Sequence, residues 1–208
     1  MFPVETTDDS GIGLGQVRPG AYLVTGGLPG GARIKTLRGE RRASELRPGD
    51  PVLTRDNGYQ PLRWTGRIVP GPVPGMTIRI RKGALGRGVP DRVLLVAPGQ
   101  RFLVGGARLR HLLGLAEATV TATQLTGLKG VSALSDRPTA FVQLLFDRHE
   151  LLLAEGAWTD SLLVTAEFLD QVPGATCDAP TCPLPPARPP VPPQLLQALL
   201  GDGRDNSP

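Results

Sequence analysis

Apolar and polar residues alternate in short runs along most of the chain, and glycine, proline or asparagine closes each run. Residues 32–36 (ARIKT) alternate, residues 37–40 (LRGE) read as a tight turn, and 45–50 (ELRPGD) form a loop built on Pro48-Gly49. A strand is predicted at 51–54. Asp56-Asn57-Gly58 is the strongest hairpin signal, because Asn-Gly tolerates the positive φ angles of a two-residue turn. Residues 60–67 carry the return strand, with Leu62 and Trp64 on one face. Further strands are predicted at 77–81, 92–96, 101–104, 107–109 (after the turn Gly105-Gly106), 118–122, 139–146 and 150–154. Within this stretch little helix is expected, one turn near 123–125. Short strands at this spacing predict an all-β unit of sandwich or barrel type.

The pattern divides the chain into three parts. Residues 1–26 are a polar, glycine-rich lead-in, expected to be loosely ordered. Residues 27–170 carry the strands and form one domain. Residues 171–208 are a proline-rich tail: ten prolines lie between positions 173 and 208, a density that favours extended polyproline conformation over a packed core. Within it, 194–200 (QLLQALL) follows Pro193 and stops at Gly201, a start and a stop for a short helix. Alone such a helix is marginal in water, so it either docks or stays disordered.

Composition sharpens this picture. The chain has 208 residues, 40% of them apolar but only 4% aromatic, so Val, Leu and Ile must fill the core. The net charge is +4, with 20 Arg against 3 Lys. Arg38, Arg41, Arg42 and Arg47 cluster, as do Arg79, Arg81, Lys82, Arg87 and Arg92, but only Tyr59 and Trp64 fall between them. A nucleic-acid groove wants stacking aromatics among its cations; a solvated basic surface fits better, and no nucleic-acid partner is expected. No apolar run approaches the ~18 residues of a membrane span, so no membrane partner is expected. The opening residues carry no basic and apolar leader pattern, which gives a cytoplasmic protein as the default and leaves a non-standard export route open.

Three stretches in order carry a resemblance. Residues 27–36 (GLPGGARIKT) and 46–56 (LRPGDPVLTRD), continued by 56–64 (DNGYQPLRW), lie at the front; Ala97-Pro98-Gly99-Gln100-Arg101 lies midway; and 147–156 (DRHELLLAEG) lies near the end. This arrangement resembles the bacterial Hint (Hedgehog/intein) family. That family opens with a motif like Cys-Phe-x-x-Gly-Thr-x-Ile-x-Thr and a Pro-Gly-Asp loop, has a Ser-Pro-x-His-Arg block midway, and ends with Asp-x-His-x-(apolar)₃-x-x-Gly. The resemblance implies an all-β Hint fold, horseshoe-like, with a cleft between two β subdomains. It also implies autoprocessing, in which a Cys, Ser or Thr at the first residue attacks the carbonyl before it.

The residues this chemistry requires are missing. The nucleophile position falls on Gly27, which has no side chain. The middle-block histidine, which in the family bonds the scissile amide, falls on Gln100; glutamine can hydrogen-bond but cannot transfer a proton near neutral pH. The closing His-Asn pair falls on Asp160-Ser161. General acid–base help is worth roughly 10²–10⁴-fold, whereas loss of the nucleophile abolishes the reaction. Thr25 is the alternative nucleophile, if two glycines are inserted.

Asp147 and His149 survive from the last block. They are either a remnant of catalytic machinery reused for binding, or a hairpin bend (Asp147-Arg148) and a histidine that satisfies backbone groups. His111 reads as a surface or packing residue. Two distant histidines do not make a metal site, and neither metal nor cofactor is expected. Cys177 and Cys182 lie in the tail, where free thiols are the default. Three functions follow: a catalytically degenerate Hint domain acting as a binding or structural module, with a peptide or protein partner; an active autoprocessing domain cutting near residues 24–27; and a docking adaptor working through the proline-rich tail.

Overall fold

Short runs bounded by turn residues become β-strands nearly throughout. The computed structural model describes residues 4–6, 26–68, 76–135, 140–166 and 183–201. Among the described residues the strands form three antiparallel sheets. The largest runs β11 (Glu117–Thr121), β10 (Arg101–Gly105), β15 (Ala157–Asp160), β14 (Leu151–Ala154), β3 (Arg33–Thr36), β5 (Pro51–Thr54), β6 (Gly58–Pro61), with β4 (Gly39–Arg42) on the side of β3. The second is β1 (Val4–Thr6), β7 (Trp64–Ile68), β13 (Phe141–Leu145), β2 (Leu28–Pro29), and the third is β12 (Val131–Leu134), β8 (Thr77–Ile80), β9 (Leu94–Val96). Among the described residues the architecture is all-β with few helices, and no sheet closes into a barrel. The core is mainly aliphatic, as the low aromatic content predicts. Ile34, Val52, Ile78, Ile80, Val120 and Leu152 are fully buried, with Phe102 and Phe146 beside them.

Several elements differ from the sequence reading, each for a local reason. The single strand predicted at 60–67 is two strands on two sheets. Its chain changes sheet at Leu62-Arg63, where Leu62 N–H donates to Asp50 O (2.9 Å) and Arg63 N–H to Leu145 O (2.8 Å). The hairpin loop is Arg55–Asn57, and Gly58 pairs with Thr54 at φ +65° instead of sitting in a two-residue turn. Thr54 Oγ1 holds this loop, donating to Gly58 O and accepting from Asn57 N–H. The strand predicted at 107–109 is the start of α1 (Ala107–Leu113). Its residues, Ala, Arg and Leu, are good helix formers, and Leu109 and Leu113 reach the core side. Strands β1, β2, β4, β12 and β15 have no counterpart in the sequence reading. The 3₁₀ turn Thr123–Gly127 lies where a helical turn is predicted.

The described part of the tail packs on the domain. A 3₁₀ turn at Pro193–Leu195 leads into α2 (Leu196–Leu200), whose Leu196, Leu199 and Leu200 pack against the core cluster. Of the two outcomes open for 194–200, docking is the one observed.

Trp64 and Gly66 share a face of β7, two residues apart. The indole covers the glycine so closely that a Cβ at position 66 would fall 1.7 Å from Trp64 Cη2. Trp64 is itself 2% exposed, so it has nowhere to retreat. Gly66→Ala is expected to cost about 3 kcal/mol by overpacking and to red-shift tryptophan emission; chemical denaturation followed by fluorescence measures both.

Candidate functional site

The peptide joining Gly26 and Gly27 enters β2 and is gripped at both ends. Gly27 N–H donates to Gln100 Oε1 at 2.7 Å. Gly26 O accepts from Gln143 Nε2 at 3.3 Å, and Gly27 O accepts from Ala97 N–H at 3.0 Å. Neither glycine leaves room for a side chain. A Cβ on Gly26 (φ +78°) would lie 2.8 Å from Gln100 Cα, and one on Gly27 (φ +153°) 2.6 Å from Phe141 Cβ. Phe141 is 1% exposed on β13, so the obstacle is packed core.

Gln100 stands at the start of β10, and its other end reaches β15. Its Nε2 donates to Thr159 Oγ1 (2.7 Å), Asp160 O (2.8 Å) and Asp160 Oδ1 (2.8 Å). The second oxygen of Asp160, Oδ2, lies 3.5 Å from His149 Nε2 and 3.9 Å from Arg101. His149 Nδ1 accepts from the backbone N–H of Ala187, in the tail, at 2.9 Å. In the neutral ring that acceptance leaves the proton on Nε2, facing Asp160. One buried polar path thus runs from Gly27 through Gln100 to Asp160; His149 Nε2 faces Asp160 without a hydrogen bond, and its Nδ1 meets the tail.

The structure brings Gly27, Gln100 and His149 together and leaves Asp147 out. Asp147 lies at the surface, 46% exposed, in a two-pronged ion pair with Arg63 (2.8 and 2.6 Å). Alternation alone would put residues two apart on one face; the bend at Asp147-Arg148 breaks the extended path, so Asp147 stays at the surface while His149 is buried. His149 satisfies a backbone group, and Asp147 and Arg148 form a bend. His111 is exposed. Thr25, Cys177 and Cys182 lie outside the described residues. Sequence reading passed over Gln143 and Thr159; the signal available for Thr159 was its place two residues beyond Ala157, on the inward face of an alternating run. Among the described residues no group of three or more His, Cys, Asp or Glu side chains is placed to hold a metal ion.

Beside His149, Glu150 is 3% exposed and accepts two bonds from Asn57 Nδ2 (2.8 and 3.0 Å). Burial pushes its carboxyl above the ordinary carboxylate range, the Asp56 charge adds to this, and the Asn57 bonds pull the other way. Where Gly27, Gln100, Asp160 and Ser161 meet, a hollow of about 10 Å³ remains, room for about one water. Ser161 Oγ accepts from Glu150 N–H at 3.0 Å. Chemically the arrangement fixes a peptide plane from both sides. Glutamine oxygen accepts from the amide and has no proton to deliver to a leaving nitrogen.

A family model described as a Hint domain matches residues 27–166. The chain belongs to the Hint domain family. The matched region starts at the Gly27 whose amide Gln100 holds and ends just past β15, so it contains the whole polar path. Among solved structures, this Hint domain is similar to the bacterial intein-like domain from Clostridium thermocellum (12% identity, 66% of this chain and 99% of that one, TM-score 0.47). It is also similar to the gp41-1 intein (14%, 64% and 97%, TM-score 0.40) and to a DnaB intein from Synechocystis sp. PCC 6803 (13%, 66% and 99%, TM-score 0.39). No curated protein matches the chain at a significant level. Among the described residues, no helix is long and apolar enough to cross a membrane.

Two predictions follow from the polar path. Gln100→Ala orphans the buried Gly27 N–H and opens a cavity. It is expected to lower stability by about 3 kcal/mol, read by urea unfolding. For Glu150 the folded-state pKa is raised. Its contribution is therefore fully present below roughly pH 4 and lost as pH rises through the folded value. Glu150→Gln keeps an acceptor for Asn57 and removes that loss, so its unfolding midpoint should exceed wild type at pH 7 and converge with it toward pH 4.

Proposed function

We propose that this Hint domain does not cleave itself and serves as a polypeptide-holding module. The observation that carries this reading is the packing at residue 27: no attacking atom is present, and Phe141 occupies the space where a Cβ would stand. A side-chain nucleophile must sit on the residue following the carbonyl it attacks, and it needs activation there. The Gln100 amide in place of a proton donor supports the same reading, since it stabilises the intact peptide by accepting its N–H. The grip of Gln143 on Gly26 O alone does not make an acyl shift, because polarising a carbonyl accomplishes nothing without an attacking group. The tail's bond to His149 supports the holding role, because a surviving family residue is occupied by backbone of an extended segment. The described part of the tail is engaged with its own domain, which weakens the reading of a free-standing adaptor.

The test is the intact mass of the purified full chain after prolonged incubation, with and without added thiol. A single full-length species is expected; fragments breaking near residues 24–27 would return the autoprocessing reading, with Thr25 as the first nucleophile to replace. Gly27→Cys should also stay uncut, and it should unfold earlier by about 1–3 kcal/mol because its Cβ meets Phe141.

A further inference from the structure

We infer that the groove running from His149 to β11 is a recognition site for an extended Arg-Pro-Pro-Val segment, filled by this chain's own residues 184–191. The inference deepens the proposed holding role, on which it rests for the tail's bond to His149, but it does not need residue 27 to be inert.

The segment is read along its whole length. Of residues 184–191 (LPPARPPV), four are prolines with no N–H to satisfy, leaving four amides. Three of those four bind the domain: Leu184 N–H to Val164 O (2.8 Å), Ala187 N–H to His149 Nδ1 (2.9 Å) and Val191 N–H to Thr119 O (2.8 Å). The chain bends at Ala187-Arg188, between the part that meets Val164 and His149 and the part that meets β11. Leu184 and Val191 are buried, while Pro185, Pro186, Pro189 and Pro190 are exposed. The prolines stiffen the segment and the residues between them make the contacts.

Arg188 supplies the selectivity. Its guanidinium makes a two-pronged pair with Asp56 (3.0 and 2.7 Å) and also bonds Glu117 Oε2 through Nε (2.9 Å). Arg55 pairs with Glu117 from the other side. Two carboxylates against one cation leave this spot one negative charge in excess until Arg188 arrives, on a chain whose net charge is +4. The planar fork of arginine suits paired carboxylate oxygens in a way lysine does not. Hydrogen bonds from Arg55, with Arg188 adding, hold the Glu117 carboxyl below the ordinary range, so the pocket stays charged.

The backbone contact is an added strand. β11 is the last strand on its side of the large sheet. Thr119 N–H donates to Pro189 O (2.9 Å) and Thr119 O accepts from Val191, forming a parallel bridge to Pro190. Addition of an extended segment to a sheet edge, with alternate side chains in pockets, is a recurrent mode of peptide recognition. Tethering raises the tail's effective concentration to about the millimolar range, so an external peptide of this pattern competes only once the tether is cut.

The experiment uses the full chain with a protease site substituted between residues 173 and 180. After cutting, the carboxy-terminal piece should co-elute with the domain on gel filtration. An excess of labelled synthetic peptide spanning residues 183–201 should replace it. The same peptide carrying Arg188→Ala or Arg188→Lys should bind at least tenfold more weakly, as should the wild-type peptide on the Asp56→Asn, Glu117→Gln domain. Equal binding of the arginine-less peptide, or loss of the cut piece on its own, overturns the inference. A dimer formed by the uncut chain and dissociated by Arg188→Ala would overturn the cis assignment, with a second copy's tail as the occupant. Because the peptide variants leave the domain untouched, a misfolded domain variant cannot decide the outcome. The mass measurement on the uncut chain remains an independent check on self-cleavage.

Discussion

One buried primary amide holds the front of this domain together. Gln100 accepts from the backbone of Gly27 and donates to Thr159 and Asp160, so strands far apart in sequence meet at a single side chain. An amide can do this because it carries an acceptor and two donors at one tip and stays neutral across the pH range. In a low-dielectric interior these bonds are strong, and leaving any of the groups unpaired is costly. The position of β2 and the placement of Asp160 both follow from it.

The same constraint reaches the tail. Asp160 faces one nitrogen of His149, which leaves the other free to accept. The group it accepts from is a backbone amide in a proline-rich stretch that makes few hydrogen bonds of its own. A segment with no internal bonds cannot satisfy itself and so is suited to borrowing partners from a sheet edge and a histidine. Its terminal leucines then complete the apolar surface beside α1, which explains why so short a helix is ordered at all.

Much of the strand inventory was legible because apolar alternation and turn residues coincide, as at Pro51–Thr54 and Thr77–Ile80. The glycine at position 27 and the glutamine at position 100 stand out through family resemblance alone; no periodicity reveals them. What escaped did so for physical reasons. The strand β15 follows a turn at Glu155-Gly156, where Glu155 adopts φ +46°, and glutamate is not a residue that such turns favour. Arg33 N–H bonds its carboxylate and holds it there, a contact across more than a hundred residues. Alternation at 60–67 is continuous although the chain changes sheets, because Leu62 and Trp64 are buried against different strands. Asp147 was placed beside His149 by spacing, whereas the chain bends at Asp147-Arg148 and the two side chains part there. The docked tail was one of two open outcomes, since composition alone predicts only extension.

The packing of Phe141 against Gly27 bears on descent as well as on chemistry. On the proposed reading, a nucleophile gave way to glycine in one step and a neighbouring side chain settled into the space. The reverse route is steeper. A cysteine arriving first would strike Phe141, a smaller residue arriving first at 141 would leave a void, and either single mutant is less stable than its parent. Reacquisition therefore demands two concerted replacements, which makes the present state a ratchet that point mutation seldom turns back.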